Sequence, residues 1–178
     1  MKSLAMLSGD VRMSELLPWC MLHRKADRVL VIARADSARK RRVLIEPEVD
    51  RSVQRELGAS ILRMAWVEAW PVVQLVKHVA KAYVLQLDDR LIREMVRTQD
   101  RFFGWNVSNR SALPEDCCIY RPGDPLPIVM SRTHTRDAWL LTDKGPHFPG
   151  AIEVPWDEEL LAYVPRTDDF IQEIAASR

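Results

Sequence analysis

The sequence predicts an α+β fold, formed as a single globular domain over residues 1–178, in which a central helical block packs on a mostly antiparallel sheet. The first observation is a long stretch, about residues 48–103, where apolar residues recur at helical spacing. The second is that the candidate strands form two groups, an N-terminal hairpin before this block and a strand meander after it. Strands and helices are therefore segregated and not alternating, which favours α+β over a doubly wound sheet.

The N-terminal part is predicted to contain one short helix and the hairpin. Residues 11–17 have a weak helical pattern, which Asp10 caps and Pro18 stops. Residues 28–35 contain a β-branched run that indicates a buried strand, and residues 43–45 suggest the returning strand. Near the turn between them lies the strongest run of positive charge in the chain: Arg39, Lys40, Arg41 and Arg42.

The first helix of the central block is predicted from apolar residues at every third or fourth position. These residues are Val49, Val53, Leu57, Ile61, Met64 and Ala65. Gly58 is the weak point of this helix, because glycine in a helix interior costs ~1 kcal/mol relative to alanine.

Two further helices are predicted in the same block. Pro71 interrupts the helical pattern, and a second stretch continues from it to Leu87. The valine-rich end of this stretch, residues 82–87, fits a helix and a strand equally well. Asp88 or Asp89 is predicted to cap the third helix, which ends at Gly104.

The C-terminal part has frequent prolines and short apolar runs. This texture predicts a meander of four strands, at residues 117–120, 128–131, 138–142 and 151–154. Two short helices are predicted to follow the meander, and they begin near residues 157 and 167.

Composition argues against several classes of protein. No apolar run approaches the ~20 residues that a membrane span needs, and residues 1–20 lack the pattern of a signal peptide. The cysteines are odd in number and two of them are adjacent, which predicts reduced thiols in the cytoplasm: Cys20, Cys117 and Cys118. All six glycines are isolated, and no metal-binding spacing occurs, so we expect neither a cofactor nor a metal ion.

Charge is unevenly distributed, although the formal net charge is only +1. Residues 21–45 carry eight Lys or Arg and two Asp, a net charge of +6. Residues 151–178 carry seven acids and two Arg, a net charge of −5. This asymmetry is typical of proteins that bind a charged partner; alternatively, the two ends of the chain neutralise each other.

Six tryptophans are a high number for this length, and most of them are expected in the core. Trp66 and Trp70 lie one turn apart on the first predicted helix. Trp156 is the best candidate for an exposed anchor at an interface, because it precedes acidic Asp157, Glu158 and Glu159.

We therefore predict a non-enzymatic protein-binding protein. Its predicted partner contacts are Trp156, Asp157, Glu158, Glu159, Arg39, Lys40, Arg41 and Arg42. An immunity-type inhibitor, which neutralises a toxin by occluding its active site, fits this outline because it needs recognition and no chemistry of its own. The acidic segment at residues 153–169 is the expected contact if the toxin is a basic nuclease.

Two alternatives remain open. A small hydrolase-like enzyme could use His134 and Asp137, with Cys117 or His147 converging on them beside the sheet. A nucleic-acid-binding regulatory module could use the Arg39–Arg42 run on phosphates. Neither pattern is specific, because polar turns and buried cysteines are ordinary structural features.

Overall fold

An antiparallel sheet of eight strands forms the body of the protein, with α-helices packed on one of its faces. The computed structural model describes residues 2–33, 47–67, 69–74, 80–102, 115–124, 126–132, 135–143 and 147–157. The α+β class predicted from the sequence is confirmed at this level.

The described elements follow one another in chain order. The helices are α1 (Met13–Arg24), α2 (Pro47–Leu57) and α3 (Asp89–Thr98). The strands are β1 (Ser3–Met6), β2 (Arg28–Ala33), β3 (Ile61–Val67), β4 (Ala69–Trp70), β5 (Val73–Gln74), β6 (Ala80–Gln86), β7 (Glu115–Tyr120), β8 (Val129–Arg132), β9 (Asp137–Thr142) and β10 (Ile152–Val154).

The strand order of the large sheet is β10-β1-β9-β8-β7-β2-β6-β3, so β10 and β3 are its two edges. Strands that are neighbours in the sheet come from distant parts of the chain: β1 lies between β9 and β10, and β2 lies between β6 and β7. Strands β4 and β5 form a separate small hairpin. The sheet therefore cannot form from local contacts alone.

The sheet is buried on both faces. On the helical face, the three helices pack on alternate residues of the central strands, among them Val29, Val31, Tyr83 and Leu85. On the opposite face, a second cluster buries the intervening residues, among them Leu30, Ile32, Ala82 and Val84, together with Trp70 and Val72 from the β4–β5 hairpin.

Helix α1 is longer than predicted and begins at a different cap. The free amides of its first turn are capped by Asp100, which is distant in sequence. The Ser14 amide donates to Asp100 Oδ1 at 2.9 Å, and the Met13 amide donates to the Asp100 carbonyl. The predicted cap, Asp10, lies before the helix. Pro18 removes one amide donor but does not end the helix, which continues to Arg24.

The predicted central helical block is wrong at residues 58–67, 69–74 and 80–86, where the structure describes a 3-10 turn and strands. Helix α2 ends at Leu57, where Gly58 begins a short 3-10 turn, and the next residues form edge strand β3. Ile61 and Met64 continue the helical spacing of α2 by coincidence, but they pair across the sheet with Leu85 and Tyr83 of β6. Pro71 lies in the β4–β5 turn and is not a helix kink.

Strand β6 includes the segment that fitted a helix and a strand equally well. It lies between β2 and β3, and its side chains are buried alternately on the two faces. A strand covered on both faces is apolar at most positions, so its pattern resembles that of a buried helix.

The four predicted C-terminal strands are present as β7, β8, β9 and β10. The first three are neighbours in the sheet, but the predicted meander is wrong at its end, because β1 lies between β9 and β10. Strand β2 confirms the first half of the N-terminal hairpin, but it pairs with β6 and β7. The predicted returning strand at 43–45 and the helices after residue 157 lie outside the described residues, as does Gly104.

Candidate functional site

Of the predicted partner contacts, the structure describes Trp156 and Asp157. Both follow β10 at one edge of the sheet, and both are exposed, with 44% of Trp156 accessible. Glu158, Glu159 and the Arg39–Arg42 run lie outside the described residues, so those parts of the prediction stay predictions.

Trp156 borders an open cleft with a volume of about 490 Å³. We call it the Trp156 cleft, and it is lined by Lys2, Ser3, Leu4, Asp143, His147, Glu153, Val154, Pro155 and Trp156. The pairing of β1 with β10 and β9 positions these residues, because it brings the start of the chain beside residues about 140 and 150 positions later. The Ser3 and Thr142 hydroxyls are 2.6 Å apart and tie the start of β1 to the end of β9.

An ion-pair network beside the cleft holds several of its charges in place. Arg121 donates to Asp124 Oδ2 at 2.6 Å and to Asp143 Oδ2 at 3.2 Å, and Lys2 Nζ lies 3.8 Å from Asp124. Burial opposes ionisation of Asp124, but the Leu126 amide, Arg121 and Lys2 outweigh it and hold the pKa of Asp124 below its ordinary value. The hydrogen bond to Asp124 raises the pKa of Arg121.

Glu153 and His147 are the exposed titratable groups of the cleft outside this network. Among the residues that the structure describes, Glu153 makes no ion pair with Lys or Arg. The cleft lining therefore combines an aromatic ring, the apolar residues Leu4 and Val154, and the Glu153 carboxylate. Such a combination is suited to binding a cationic side chain.

The residues of the predicted enzymatic site do not converge where the structure describes them. Asp137 accepts a hydrogen bond from Arg132 at 2.8 Å at the start of β9. His147 lies near Asp143, which is beyond the other end of β9 and roughly 20 Å away along an extended chain. His134 lies outside the described residues.

Cys117 is a core residue on the helical face. Its amide donates to Ser131 Oγ at 2.7 Å within the β7–β8 pair. Burial, with a smaller contribution from Asp116, raises the pKa of the Cys117 thiol to about 12. At neutral pH this side chain is a protonated thiol, which is a poor nucleophile.

A second exposed surface lies at the other edge of the sheet, and sequence reasoning missed it. Leu62, Met64 and Trp66 of β3 are 51%, 49% and 52% accessible. We call these three residues the β3 edge. The signal was present in the sequence as apolar residues at every second position, which is the period of a strand. It was hidden because apolar residues at helical spacing also run through this segment, so a helix was predicted there.

The remaining described tryptophans are packed. Trp70 and Trp139 are buried, as predicted for most tryptophans, and Trp19 contacts Phe148 edge-on at 5.4 Å. Trp105 lies outside the described residues. Among the described tryptophans, Trp66 and Trp156 are therefore the two with exposed side chains.

In the described part of the chain, no group of three or more His, Cys, Asp or Glu residues is arranged to hold a metal ion. Among the described helices, none has the length and apolar character needed to cross a membrane.

Comparison with known proteins gave no match that would assign the chain: no family model, no curated protein and no solved structure is significantly similar to it.

Proposed function

We propose that this protein is a protein-binding protein that engages its partner through the Trp156 cleft. The observation that carries the proposal is an exposed tryptophan beside an open cleft, at the position that the sequence alone selects as an anchor. Tryptophan is enriched among the residues that dominate binding energy at interfaces, because it buries a large rigid surface.

The charge around the cleft favours a basic partner. Glu153 and Asp157 flank Trp156, and Asp143 adds a third carboxylate that Arg121 partly neutralises. A Lys or Arg side chain of the partner could lie against the Trp156 ring while it pairs with Glu153. Contacts of this kind combine cation–π attraction with a charge-assisted hydrogen bond.

One class of protein with these needs is the immunity-type inhibitor. Its task is to cover the active site of a toxin, and a basic nuclease would present the positive surface that the cleft favours. For such a pair, opposite charges raise the association rate and buried aromatic contacts slow dissociation. The cytoplasmic location expected from the reduced cysteines belongs to the same proposal.

Affinity capture followed by titration of the purified partner tests the proposal. We expect Trp156→Ala to weaken binding roughly 30-fold, which corresponds to about 2 kcal/mol for loss of an interface anchor. Glu153→Lys should weaken binding by at least about tenfold and reduce the association rate, because it reverses a charge at the contact.

Trp66→Ala is the matched control, because it removes an equally exposed tryptophan from the opposite edge of the sheet. It should leave the partner's affinity unchanged. If Trp156→Ala binds as the parent protein does, the assignment of the cleft fails. A partner whose toxicity persists in a stoichiometric complex would exclude the immunity-type function while leaving partner binding intact.

The nucleic-acid alternative depends on Arg39–Arg42 and can be tested separately. Phosphate contacts release bound cations, so genuine binding to nucleic acid should fall by orders of magnitude between about 50 and 200 mM salt. Binding that does not depend on salt would argue against this alternative.

A further inference from the structure

Lys2 is the positively charged residue in the lining of the Trp156 cleft. Its ammonium group lies 3.8 Å from Asp124 Oδ2, which is an ion-pair distance but too long for a hydrogen bond. In the part of the chain that the structure describes, no other carboxylate is paired with Lys2, and its side chain remains 32% accessible. The ammonium group can therefore still donate hydrogen bonds to a bound molecule.

Asp124 does not draw Lys2 closer, because other donors already occupy its oxygens. Oδ2 accepts hydrogen bonds from Arg121 Nε at 2.9 Å and from Arg121 Nη2 at 2.6 Å, and Oδ1 accepts the Leu126 amide at 3.0 Å. These contacts use most of the lone-pair positions of a carboxylate. Asp124 therefore attracts Lys2 by charge and keeps it beside the cleft without a hydrogen bond.

A second cavity beside Lys2 offers it no better partner. Lys2 and Asp143 line this cavity, whose volume of about 10 Å³ leaves room for a single water molecule at most. Its lining includes two further cations, Arg24 and Arg121, and Asp143 already accepts a hydrogen bond from Arg121 at 3.2 Å. A carboxylate that hydrogen-bonds to Lys2 is therefore expected to come from a molecule bound in the open Trp156 cleft.

The negative charge of the cleft lies at a distance from Lys2. Glu153 is exposed, and within the described ranges it is not paired with Lys2 or any other cation. The register of β1 and β10 places Glu153 opposite Ala5, three residues after Lys2. Three residues of a strand span about 10 Å. The cleft thus presents a positive and a negative group that are too far apart to neutralise each other.

We infer that the Trp156 cleft recognises a basic side chain and a carboxylate together, with Lys2 donating to the carboxylate. This inference rests on the proposed function, in which the basic side chain contacts Trp156 and Glu153. Lys2 repels a cation that enters the cleft alone, whereas a neighbouring carboxylate converts this repulsion into a charge-assisted hydrogen bond. The carboxylate is an Asp or Glu side chain next to the basic residue, or the chain end of a partner that finishes in Lys or Arg.

Three short peptides test the recognition and distinguish the two sources of the carboxylate. Acetyl-Ala-Arg-Glu-Ala-amide carries both charges on side chains, and acetyl-Ala-Ala-Arg with a free carboxyl end carries the acid at its terminus. Acetyl-Ala-Arg-Gln-Ala-amide carries the cation alone. Titration into the isotope-labelled full chain follows the indole N–H resonance of Trp156, which is identified by its loss in Trp156→Phe.

We expect at least one of the two peptides with both charges to bind about threefold more tightly than the cation-only peptide, with a dissociation constant on the order of 1 mM. The peptide that shows this preference identifies the source of the carboxylate. Lys2→Met should abolish the preference without changing the affinity of the cation-only peptide by more than about twofold, whereas a merely structural role of Lys2 would weaken all three peptides alike.

Two further variants complete the test. Lys2→Arg should retain the preference, because a guanidinium also donates to a carboxylate. Lys25→Met is the matched control: Lys25 is an exposed lysine at the end of α1 and is absent from the cleft lining, so this variant should bind like the parent. The spectrum of each variant also shows whether it is folded.

A cation-only peptide that binds as tightly as both other peptides overturns the inference, and so does a Lys2→Met variant that keeps the preference. Absence of any shift of the Trp156 resonance at about 10 mM peptide overturns it as well. The proposed function fails on a different result, namely a protein partner whose affinity Trp156→Ala leaves unchanged. Binding of the cation-only peptide with no contribution from Lys2 would keep the proposed function and remove this inference.

Discussion

Trp66 and Trp70 are four residues apart and lie in opposite environments. Trp66 is half exposed at the β3 edge, whereas Trp70 is almost completely buried and donates from its indole nitrogen to Asp116 Oδ2 at 2.7 Å. This hydrogen bond is charge-assisted and buried, so it contributes more than an ordinary surface contact. It joins the β4–β5 hairpin to strand β7, so it helps to hold the hairpin against the sheet face that is opposite the helices.

Replacing Trp70 with Phe should destabilise the protein by about 2 kcal/mol, because it deprives a buried carboxylate of one donor. Urea denaturation measures the change. Asp116→Asn is the suitable second variant, since Asn retains an acceptor oxygen and tolerates the positive φ of 36° at this position. Because Asn keeps the acceptor, a double-mutant cycle measures the part of the contact that depends on the carboxylate charge. The two changes should couple by roughly 1 kcal/mol, and additive effects would show that this charge does not strengthen the contact.

Helix α3 illustrates what local pattern determines. Its apolar residues and its acidic start predict it correctly, and the structure selects Asp88 from the two predicted caps, because Asp88 Oδ1 accepts the Leu91 amide at 2.8 Å. Its end was predicted less well, since the helix stops at Thr98. Arg97 near that end bridges to Glu56 of α2 at 2.7 Å, which connects neighbouring helices across the surface.

Asp88→Ala should lower the free energy of unfolding by ~1 kcal/mol through loss of the cap. Asp89→Ala, one residue later, is the comparison: Asp89 lies in the first turn, where its charge interacts favourably with the helix dipole, so a few tenths of a kcal/mol are expected. Thermal or urea unfolding of both variants measures the difference. If both variants lost the same free energy of unfolding, the hydrogen bond from the Leu91 amide to Asp88 would add nothing to the effect of a negative charge at this position.

At the scale of the whole molecule, the three cysteines are distributed through the core. Cys20 lies on α1, and adjacent Cys117 and Cys118 on β7 face opposite sides of the sheet. Burial raises the pKa of all three thiols, of Cys117 to about 12. Thiol chemistry in this protein therefore requires opening of the core.

We expect an aromatic disulfide reagent at pH 8 to modify none of the three thiols in the folded protein and all three in concentrated urea. Because burial raises the pKa of the thiols, a buried thiol stays protonated at pH 8. The reactive thiolate forms only after unfolding exposes the side chain. Rapid labelling of one cysteine under native conditions would contradict this burial. It would also revive Cys117 as a nucleophile if that residue were the one labelled.

Local pattern was sufficient to predict the presence of α2, α3, β2 and the four C-terminal strands, because their caps, breakers and apolar runs act over a few residues. It was also sufficient to predict that Trp156, which stands beside acids in a proline-rich segment, is exposed. The four-residue strand β1 was not predicted, since the strands that it pairs with, β9 and β10, lie more than 130 residues away.

The tertiary structure decided which apolar segments became strands. Residues 61–67 and 80–86 have a spacing of apolar residues that a helix and a buried strand can share. The sheet is selected because β6 pairs with β2 on one side and with β3 on the other. The pairing of β3 with β6 exposed Trp66, and the pairing of β1 with β9 and β10 assembled the Trp156 cleft from segments far apart in the chain. The physical reason is that backbone hydrogen bonds in a helix are local, whereas those of a sheet depend on strands that the sequence does not place side by side.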